Sequence, residues 1–94
     1  MSAAASIAAR VRVDDFDAWK ALFDQDMPGA REKALGWTLY RGTEDPNEVF
    51  IRVDFASVDD AATARDRVLS SGVLDRIPDH TGPVVVQQAE TRTR

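Results

Sequence analysis

The sequence predicts an α+β fold built from four strands and two helices in the order β-α-β-β-α-β. Three observations carry this prediction. Apolar and polar residues alternate in short segments, which places the apolar ones on one face of a sheet. Two longer segments repeat apolar residues three or four positions apart behind a capping residue, as amphipathic helices do. A run of turn-forming residues joins the two middle strands into a hairpin.

The middle hairpin spans residues 37–55. Its second strand alternates an aliphatic row with a mixed row, namely Val49, Ile51, Val53 and Phe55 against Phe50, Arg52 and Asp54. The connecting residues 42–47 include Gly, Asp, Pro and Asn, which favour turn dihedrals. A one-residue slip would mix the two faces, so only an even register keeps the apolar residues together. We therefore expect the pairs Arg41–Val49, Tyr40–Phe50, Leu39–Ile51 and Trp37–Val53.

Residues 6–13 predict the first strand, after a loose tail at residues 1–5. One row of this strand is apolar and the other carries two arginines, namely Ile7, Ala9, Val11 and Val13 against Ala8, Arg10 and Arg12. Asp15 predicts a helix N-cap, because its carboxylate can accept from the free amides of a first turn. The helix then presents an apolar stripe of Phe16, Trp19, Leu22, Phe23 and Met27. Pro28-Gly29 interrupts it, and residues 30–35 form a short turn or a second helix.

Ser57 predicts the start of the next long helix, with Asp60 three residues later in a close relative of the capping box. Its inner stripe is Val58, Ala61, Ala62, Arg65, Val68 and Leu69, and Gly72 ends it. We expect one more turn at residues 73–77, an irregular loop at residues 78–83, the last strand at residues 84–89 and a polar tail. Two right-handed crossovers then give a ferredoxin-like sandwich, with the antiparallel sheet order 4-1-3-2 and both helices on one face.

Composition narrows the class of protein. The 94 residues predict a single domain with an ordered core at about residues 6–90, because so short a chain cannot supply two cores. The net charge of −4 argues against nucleic-acid binding, which needs a basic face. The chain has no cysteine and no segment typical of a signal peptide or a membrane span. We expect a cytoplasmic protein without nucleic-acid or membrane partners.

Three segments carry a resemblance to a known family: Asp15-Phe16-Asp17-Ala18-Trp19-Lys20 with Phe23-Asp24, then Asp45-Pro46-Asn47-Glu48-Val49, then Gly82-Pro83-Val84-Val85. They resemble the dimeric α+β barrel superfamily, in particular small proteins of the antibiotic biosynthesis monooxygenase-like group. The resemblance implies that two protomers pack sheet against sheet, and that each holds a pocket between its sheet and helices. Members of the superfamily include cofactor-free oxygenases acting on polyphenolic polyketides, polyketide cyclases, haem-degrading enzymes and small proteins of unknown role, and we expect no cofactor in this chain. The haem-degrading relatives carry an axial histidine on the second helix, and residues 57–71 contain none.

The sheet face away from the helices gives a physical reason for a homodimer. We place on it Arg10, Arg12, Thr38, Tyr40, Phe50, Arg52, Asp54, Val85 and Gln87. An exposed patch that includes Tyr40, Phe50 and Val85 would be unusual for a monomer, and a second copy would cover it. The predicted dimer interface is therefore Arg10, Arg12, Tyr40, Phe50, Arg52 and Asp54. Its arginines pair with Asp54 or Glu48 in a satisfied network, or they form an anion site for a substrate carboxylate or phenolate.

The candidate catalytic residues are His80, Asp15 and Arg41. His80 is the only histidine, and the topology brings the start of the last strand near Asp15 and the hairpin turn. A carboxylate–imidazole pair there would move a proton from a phenol or an activated methylene. The bland alternative is a solvated loop histidine. One histidine does not make a zinc site, so we expect no metal.

Four apolar residues between helix and sheet are the candidate substrate-binding residues: Trp19, Phe23, Trp37 and Leu39. They line a pocket for a small aromatic ligand or they are simply core. The leading hypothesis is a small-molecule-binding protein that acts as a cofactor-independent monooxygenase or cyclase on an aromatic or polyketide-like substrate. The alternative is a non-catalytic homodimeric binding or accessory protein of the same fold.

Overall fold

The structure is a computed structural model that describes residues 4–26 and 29–93. Its elements follow the predicted order. They are β1 (Ala5–Arg12), α1 (Phe16–Gln25), β2 (Gly36–Arg41), β3 (Glu48–Phe55), α2 (Val58–Ser71), a 3₁₀ helix (Val73–Arg76) and β4 (His80–Val86). The strands form one antiparallel sheet in the order β2-β3-β1-β4, which confirms the predicted ferredoxin-like topology.

The register of the hairpin is the predicted one. Its four expected pairs are Trp37–Val53, Leu39–Ile51, Tyr40–Phe50 and Arg41–Val49, and all four are present. The turn closes through the backbone, since the N–H of Glu48 donates to the carbonyl of Asp45 over 3.0 Å. Val49 and Val53 are buried on the face that the helices cover. Hydrophobic patterning therefore set the register of these two strands.

Helix α1 begins at the predicted cap. Asp15 is extended, at φ −149° and ψ 114°, and its carboxylate accepts from the backbone N–H of Asp17 over 2.9 Å and of Ala18 over 3.4 Å. The helix ends at Asp26, whose φ of 46° is left-handed and whose N–H donates to the carbonyl of Phe23. Met27, predicted to extend the apolar stripe, lies outside the described residues. Residues 30–33 form a turn, not a second helix.

Helix α2 is capped as predicted but is rotated relative to the predicted stripe. Ser57 Oγ accepts from the N–H of Asp60 over 3.1 Å, and Gly72 ends the helix at φ 79°. The buried residues are Ala61 and Ala64. The expectation that Val58 and Leu69 face inward was wrong, since they are 40% and 55% exposed. The alanines of α2 face the sheet because their small side chains allow the helix to pack closer to it.

Strand β4 is displaced from its predicted position. It runs from His80 to Val86 and not over residues 84–89, so residues predicted as an irregular loop are paired with β1. The pairing shifts between Ala8 and Arg10, where Gly82 adopts a φ of 81° and leaves no room for a Cβ, which would lie 2.8 Å from the carbonyl oxygen of Ala8. Glycine thus permits a β-bulge within the strand.

The face assigned to Val85 was also wrong. Val85 pairs with Ile7 and packs against the core beneath the helices, whereas Val84 and Val86 are exposed on the other face. Gln87 lies beyond β4. Three consecutive valines contain no alternation, so the sequence offered no phase for this strand.

The core lies on one side of the sheet in two clusters. The first joins the sheet to α2 through Ala5, Ile7, Val53, Phe55, Ala61 and Ala64. The second surrounds Val11, Val13 and Val49, and is covered by Phe16, Trp19, Leu74 and Ile77. The molecule is a slab of 41 × 37 × 19 Å, two layers thick. The opposite face of the sheet has no second layer over it in the described part of the chain.

Candidate functional site

A cavity of about 790 Å³ lies between α1, α2 and the sheet. Its floor is the helix-facing row of the central strands, including Ile7, Ala9, Val11, Ile51, Val53 and Phe55. Ala18, Trp19, Leu22 and Phe23 of α1 line one wall, and Val68, Leu74 and Ile77 lie across from them. The surface of the cavity is thus mainly apolar, and a few charged residues border it, among them Asp15, Asp26, Arg31 and Arg76. Such a hollow is typical of a site for a small organic molecule.

The cavity exists because α1 stands away from the sheet. None of its residues is buried. Its inner face is a row of rings, with the centroids of Trp19 and Phe23 stacked 5.1 Å apart and those of Phe16 and Trp19 5.9 Å apart. These side chains span the gap between helix and sheet without filling it. Two predicted substrate-binding residues, Trp19 and Phe23, therefore line the cavity.

The other two predicted substrate-binding residues lie elsewhere. Trp37 and Leu39 are on the helix-facing side of β2, opposite Val53 and Ile51, but they do not line the cavity. Trp37 is 48% exposed, and its ring packs against the guanidinium of Arg31. Because β2 is an edge strand, its helix-facing row lies beside the cavity and not beneath it.

Of the predicted catalytic residues, only Asp15 borders the cavity. Its carboxylate accepts hydrogen bonds from two backbone amides at the N-terminus of α1, so Asp15 acts as the helix cap. Arg41 is exposed, with its Nε donating to the carbonyl of Pro46 over 2.9 Å and its guanidinium 4.0 Å from the centre of the Phe16 ring. These contacts anchor Arg41 to the hairpin turn and to α1.

His80 does begin β4 beside the end of β1, as the topology predicted, and pairs with Val11. Its side chain is exposed and does not line the cavity. The imidazole Nδ1 lies 2.6 Å from the carbonyl oxygen of Ile77. Within the described ranges, no hydrogen bond or ion pair joins His80 to Asp15 or to Arg41. The structure therefore does not bring the three candidates together, and their catalytic role stays a prediction.

Sequence reasoning missed Arg31. It lies in the turn after α1, lines the cavity and keeps only 10% of its side chain exposed. Its guanidinium carbon is 3.9 Å from the centre of the Phe23 ring and 4.4 Å from that of Trp37. No sequence pattern indicated that Arg31 lies at the cavity, because it follows the Pro28-Gly29 interruption in a segment without apolar periodicity.

Sequence reasoning also missed Arg76, which lines the cavity from the 3₁₀ helix. Its two apolar neighbours Leu74 and Ile77, three positions apart, gave the only indication that this turn covers the core. The turn itself was predicted at residues 73–77. The role of its arginine at the cavity was not.

The open face of the sheet carries the other charged cluster. Arg10 donates to Glu48 over 2.6 Å and to Asp79 over 2.9 Å, and Arg12 donates to Asp45 over 2.8 Å. The hydrogen bond from Arg10 lowers the pKa of Asp79. The hydrogen bond from Arg12, with the backbone N–H of Asn47, likewise lowers the pKa of Asp45. These acids are ionised partners of a satisfied network.

The predicted interface residues share this open face. Tyr40 and Phe50 are paired neighbours, 56% and 40% exposed. Arg52 lies 3.3 Å from Asp54, whose Oδ1 also accepts from Ser6 Oγ. Val84 and Val86 add apolar surface on the far side of β1. The face is thus an apolar surface crossed by ion pairs.

No group of three or more histidine or acidic side chains among residues 4–26 and 29–93 has the geometry of a metal site. In the same part of the chain, neither helix has the length and apolar character that a membrane crossing requires.

Comparison with known proteins gives a likeness of fold. No protein-family model matches the chain, and no curated protein matches it. Among solved structures, it is similar to a protein from Chloroflexus aurantiacus J-10-fl that is provisionally assigned as an antibiotic biosynthesis monooxygenase. The TM-score is 0.60 at 12% identity, over 97% of this chain and 98% of that one. The resemblance predicted from the sequence is thus confirmed in architecture.

Proposed function

We propose that this chain binds a small aromatic or polyketide-like molecule in the cavity beneath α1. The cavity itself is the observation that carries the proposal. Its volume of about 790 Å³ lies within the range of small-molecule sites, roughly 300–1,000 Å³. The rings of Trp19 and Phe23, which line the cavity, offer aromatic contacts to a planar ligand. The architectural likeness to an antibiotic biosynthesis monooxygenase-like protein supports the same class of ligand.

The reaction that we propose is cofactor-independent oxygenation, with cyclisation as the related alternative. A base removes a proton from a phenol or an activated methylene, and the resulting carbanion or phenolate reacts with dioxygen. The methylene becomes a carbonyl, and its two hydrogens leave with the second oxygen atom as water. The predicted base is the imidazole of His80 paired with the carboxylate of Asp15, with Arg41 as the third candidate. Of the three, Asp15 borders the cavity.

A cavity-filling variant tests binding. Ala9 lies on the cavity floor, whereas Ala21 lies on the exposed side of α1 and does not line the cavity. We expect candidate polyphenols to shift the fluorescence of Trp19 saturably in the wild type and in Ala21→Phe, but not in Ala9→Phe. Absence of any saturable shift in the wild type would contradict the proposal.

Oxygen uptake with the same polyphenols tests catalysis. Turnover that falls in Asp15→Asn, His80→Ala or Arg41→Ala supports the corresponding predicted role. One observation favours the non-catalytic alternative: His80 is bound to the carbonyl of Ile77 and lies outside the cavity. Saturable binding without oxygen consumption or ring closure would establish that alternative, a binding or accessory protein.

We also propose that two copies pair through the open face of the sheet. Tyr40 and Phe50 are the apolar centre of that face, and a second sheet would remove them from water. Sedimentation at micromolar concentration should report twice the mass of the 10.4 kDa chain. Phe50→Arg should yield monomers, whereas Leu69→Asp, on the outer side of α2, should not. A wild-type monomer would contradict the dimer. The cytoplasmic location stays a prediction.

A further inference from the structure

Arg31 lines the cavity near the end of α1, and among residues 4–26 and 29–93 the other cations that line it are Arg12 and Arg76. Its side chain is nine-tenths buried and packs between the rings of Phe23 and Trp37. Aromatic rings therefore cover the faces of the planar guanidinium. Only its edge, which carries the N–H donors, is left for polar partners.

Within residues 4–26 and 29–93, the partners along that edge satisfy only part of the hydrogen-bonding capacity of Arg31. Nη2 donates to the carbonyl of Phe23, and Nε lies 3.6 Å from Oδ1 of Asp26, too far for a hydrogen bond. Nη1 has no acceptor among residues 4–26 and 29–93. A buried guanidinium normally gains close hydrogen bonds to offset its lost hydration. Arg31 thus keeps donor capacity beside a cavity large enough for a ligand.

We propose that Arg31 binds the ionised oxygen of the ligand, a phenolate or a carboxylate on an aromatic ring. The ring then lies against Trp19 and Phe23, and its acidic group points to the end of α1. The inference rests on the proposed function, because it places the ligand in the same cavity. The net charge of −4 makes the chain as a whole unattractive to anions, so an anionic ligand requires a local cation of this kind.

A charge-matched pair of probes tests the proposal. N-phenyl-1-naphthylamine is neutral, and 1-anilinonaphthalene-8-sulfonate has the same ring system with an added anionic group. Both are titrated by fluorescence into the wild type, Arg31→Gln, Asp26→Asn and Arg67→Gln. The last is the control, since Arg67 bonds to Gly29 and Glu32 in the same turn but does not line the cavity.

Asp26→Asn keeps the variant set informative if Arg31→Gln folds poorly. Asn tolerates the left-handed backbone at position 26, and its amide oxygen can still accept from the N–H of Arg31. The change removes only the negative charge that competes with an anionic ligand. Because Asp26 lines the cavity, losing its charge favours any anion there, so a gain supports Arg31 only if it disappears when Arg31→Gln is combined with Asp26→Asn.

We expect Arg31→Gln to weaken binding of the sulfonate probe by about tenfold or more relative to binding of the neutral probe, because a hydrogen bond to a charged group is lost. Asp26→Asn should tighten the sulfonate probe alone, and Arg67→Gln should change neither. If the wild type binds the neutral probe but neither variant changes sulfonate binding, the role of Arg31 is overturned and the cavity proposal stands. If neither probe binds the wild type, both proposals fail.

Discussion

The two helices lie on the same side of the same sheet, yet only one of them is packed tightly. Helix α2 buries Ala61 and Ala64 to 0% and 3% exposure, whereas α1 has no buried residue. Both helices begin at side-chain caps, so their starts do not explain the difference. The size of the facing side chains does. Alanines let α2 close onto the strands, and the rings of α1 hold it away.

The difference in packing between the two helices explains where the cavity lies. The first core cluster, beneath α2, is a buried contact of small and branched side chains with Phe55. The region beneath α1 is the cavity that Trp19 and Phe23 line. The same contrast predicts that the α2 side carries more of the stability of the fold, and that the α1 side is free to serve a ligand.

The largest effect is expected from truncating a ring beneath α2. Phe55 is 1% exposed, so Phe55→Ala should lower the free energy of unfolding by about 3–5 kcal/mol. Phe23→Ala should cost much less, because Phe23 is only half-buried. Urea unfolding followed by circular dichroism, at one protein concentration, measures both. Equal losses in the two variants would contradict the contrast between the helices.

Enlarging an alanine tests the same contrast between the helices by adding side-chain atoms instead of removing them. Ala64→Leu has no space to fill and should lower the free energy of unfolding by about 1–3 kcal/mol. Ala18→Leu adds the same atoms to α1, where the side chain borders the cavity, and should leave stability within about 0.5 kcal/mol. The same unfolding experiment decides it. A comparable loss at Ala18 would mean that α1 is as tightly packed as α2.

Removing the caps should separate local from global stability. Asp15→Ala and Ser57→Ala each delete a side-chain acceptor at a helix start, a change worth about 1 kcal/mol. Because α1 has no buried residue to hold it, Asp15→Ala should accelerate amide exchange mainly within α1. Ser57→Ala should lower global stability without singling out α2. Uniform acceleration across the chain in Asp15→Ala would contradict this expectation.

The smallest effect on stability is expected from acid, which acts on the ion pairs of the open face of the sheet and not on either helix. The folded-state pKa values of Asp45 and Asp79 are lowered by Arg12 and Arg10. Their contribution is therefore present above the unfolded pKa of about 3.9 and is lost as pH falls through the folded values. Arg10→Gln and Arg12→Gln should each flatten the loss of stability in acid.

Arg65→Gln is the control for the acid experiment. It removes a surface arginine of α2 that neighbours Asp66, away from the open face. Unfolding midpoints between about pH 7 and pH 2.5 provide the measurement, and exposed pairs of this kind have modest effects. An unchanged acid response in both Arg10 and Arg12 variants would remove the open-face cluster from the account of stability.

Much of the fold was predictable because several local signals agreed. Asp15 and Ser57 were identified as caps from residue type and position, and both caps are present. Alternation in the hairpin fixed its register, since a slip would have exposed the aliphatic row. The errors arose where the local sequence carried no pattern that indicated the structure. Three valines gave no phase for β4, and the Gly82 bulge depends on contact with Ala8, which lies far away in sequence.

The site was less predictable than the fold. The rings of α1 indicated a wall but not whether a ligand or the core would fill the space beneath it. Whether α1 stands off the sheet depends on the packing of α2 and the 3₁₀ helix, which no local pattern records. Arg31 had no recognisable motif. The predicted sheet order already placed the strand of Trp37 at the edge, but no local pattern showed that the cavity ends before that strand.

Amide hydrogen exchange in α1 and α2, with and without N-phenyl-1-naphthylamine, tests the central claim most directly. In the free protein, α1 should exchange faster than α2, because none of its residues is buried and much of its inner face borders the cavity. The bound probe should slow exchange in α1 more than in α2, which contributes only Val68 and Ser71 to the cavity. Equal protection of the two helices, or slowing confined to α2, would contradict a ligand cavity beneath α1.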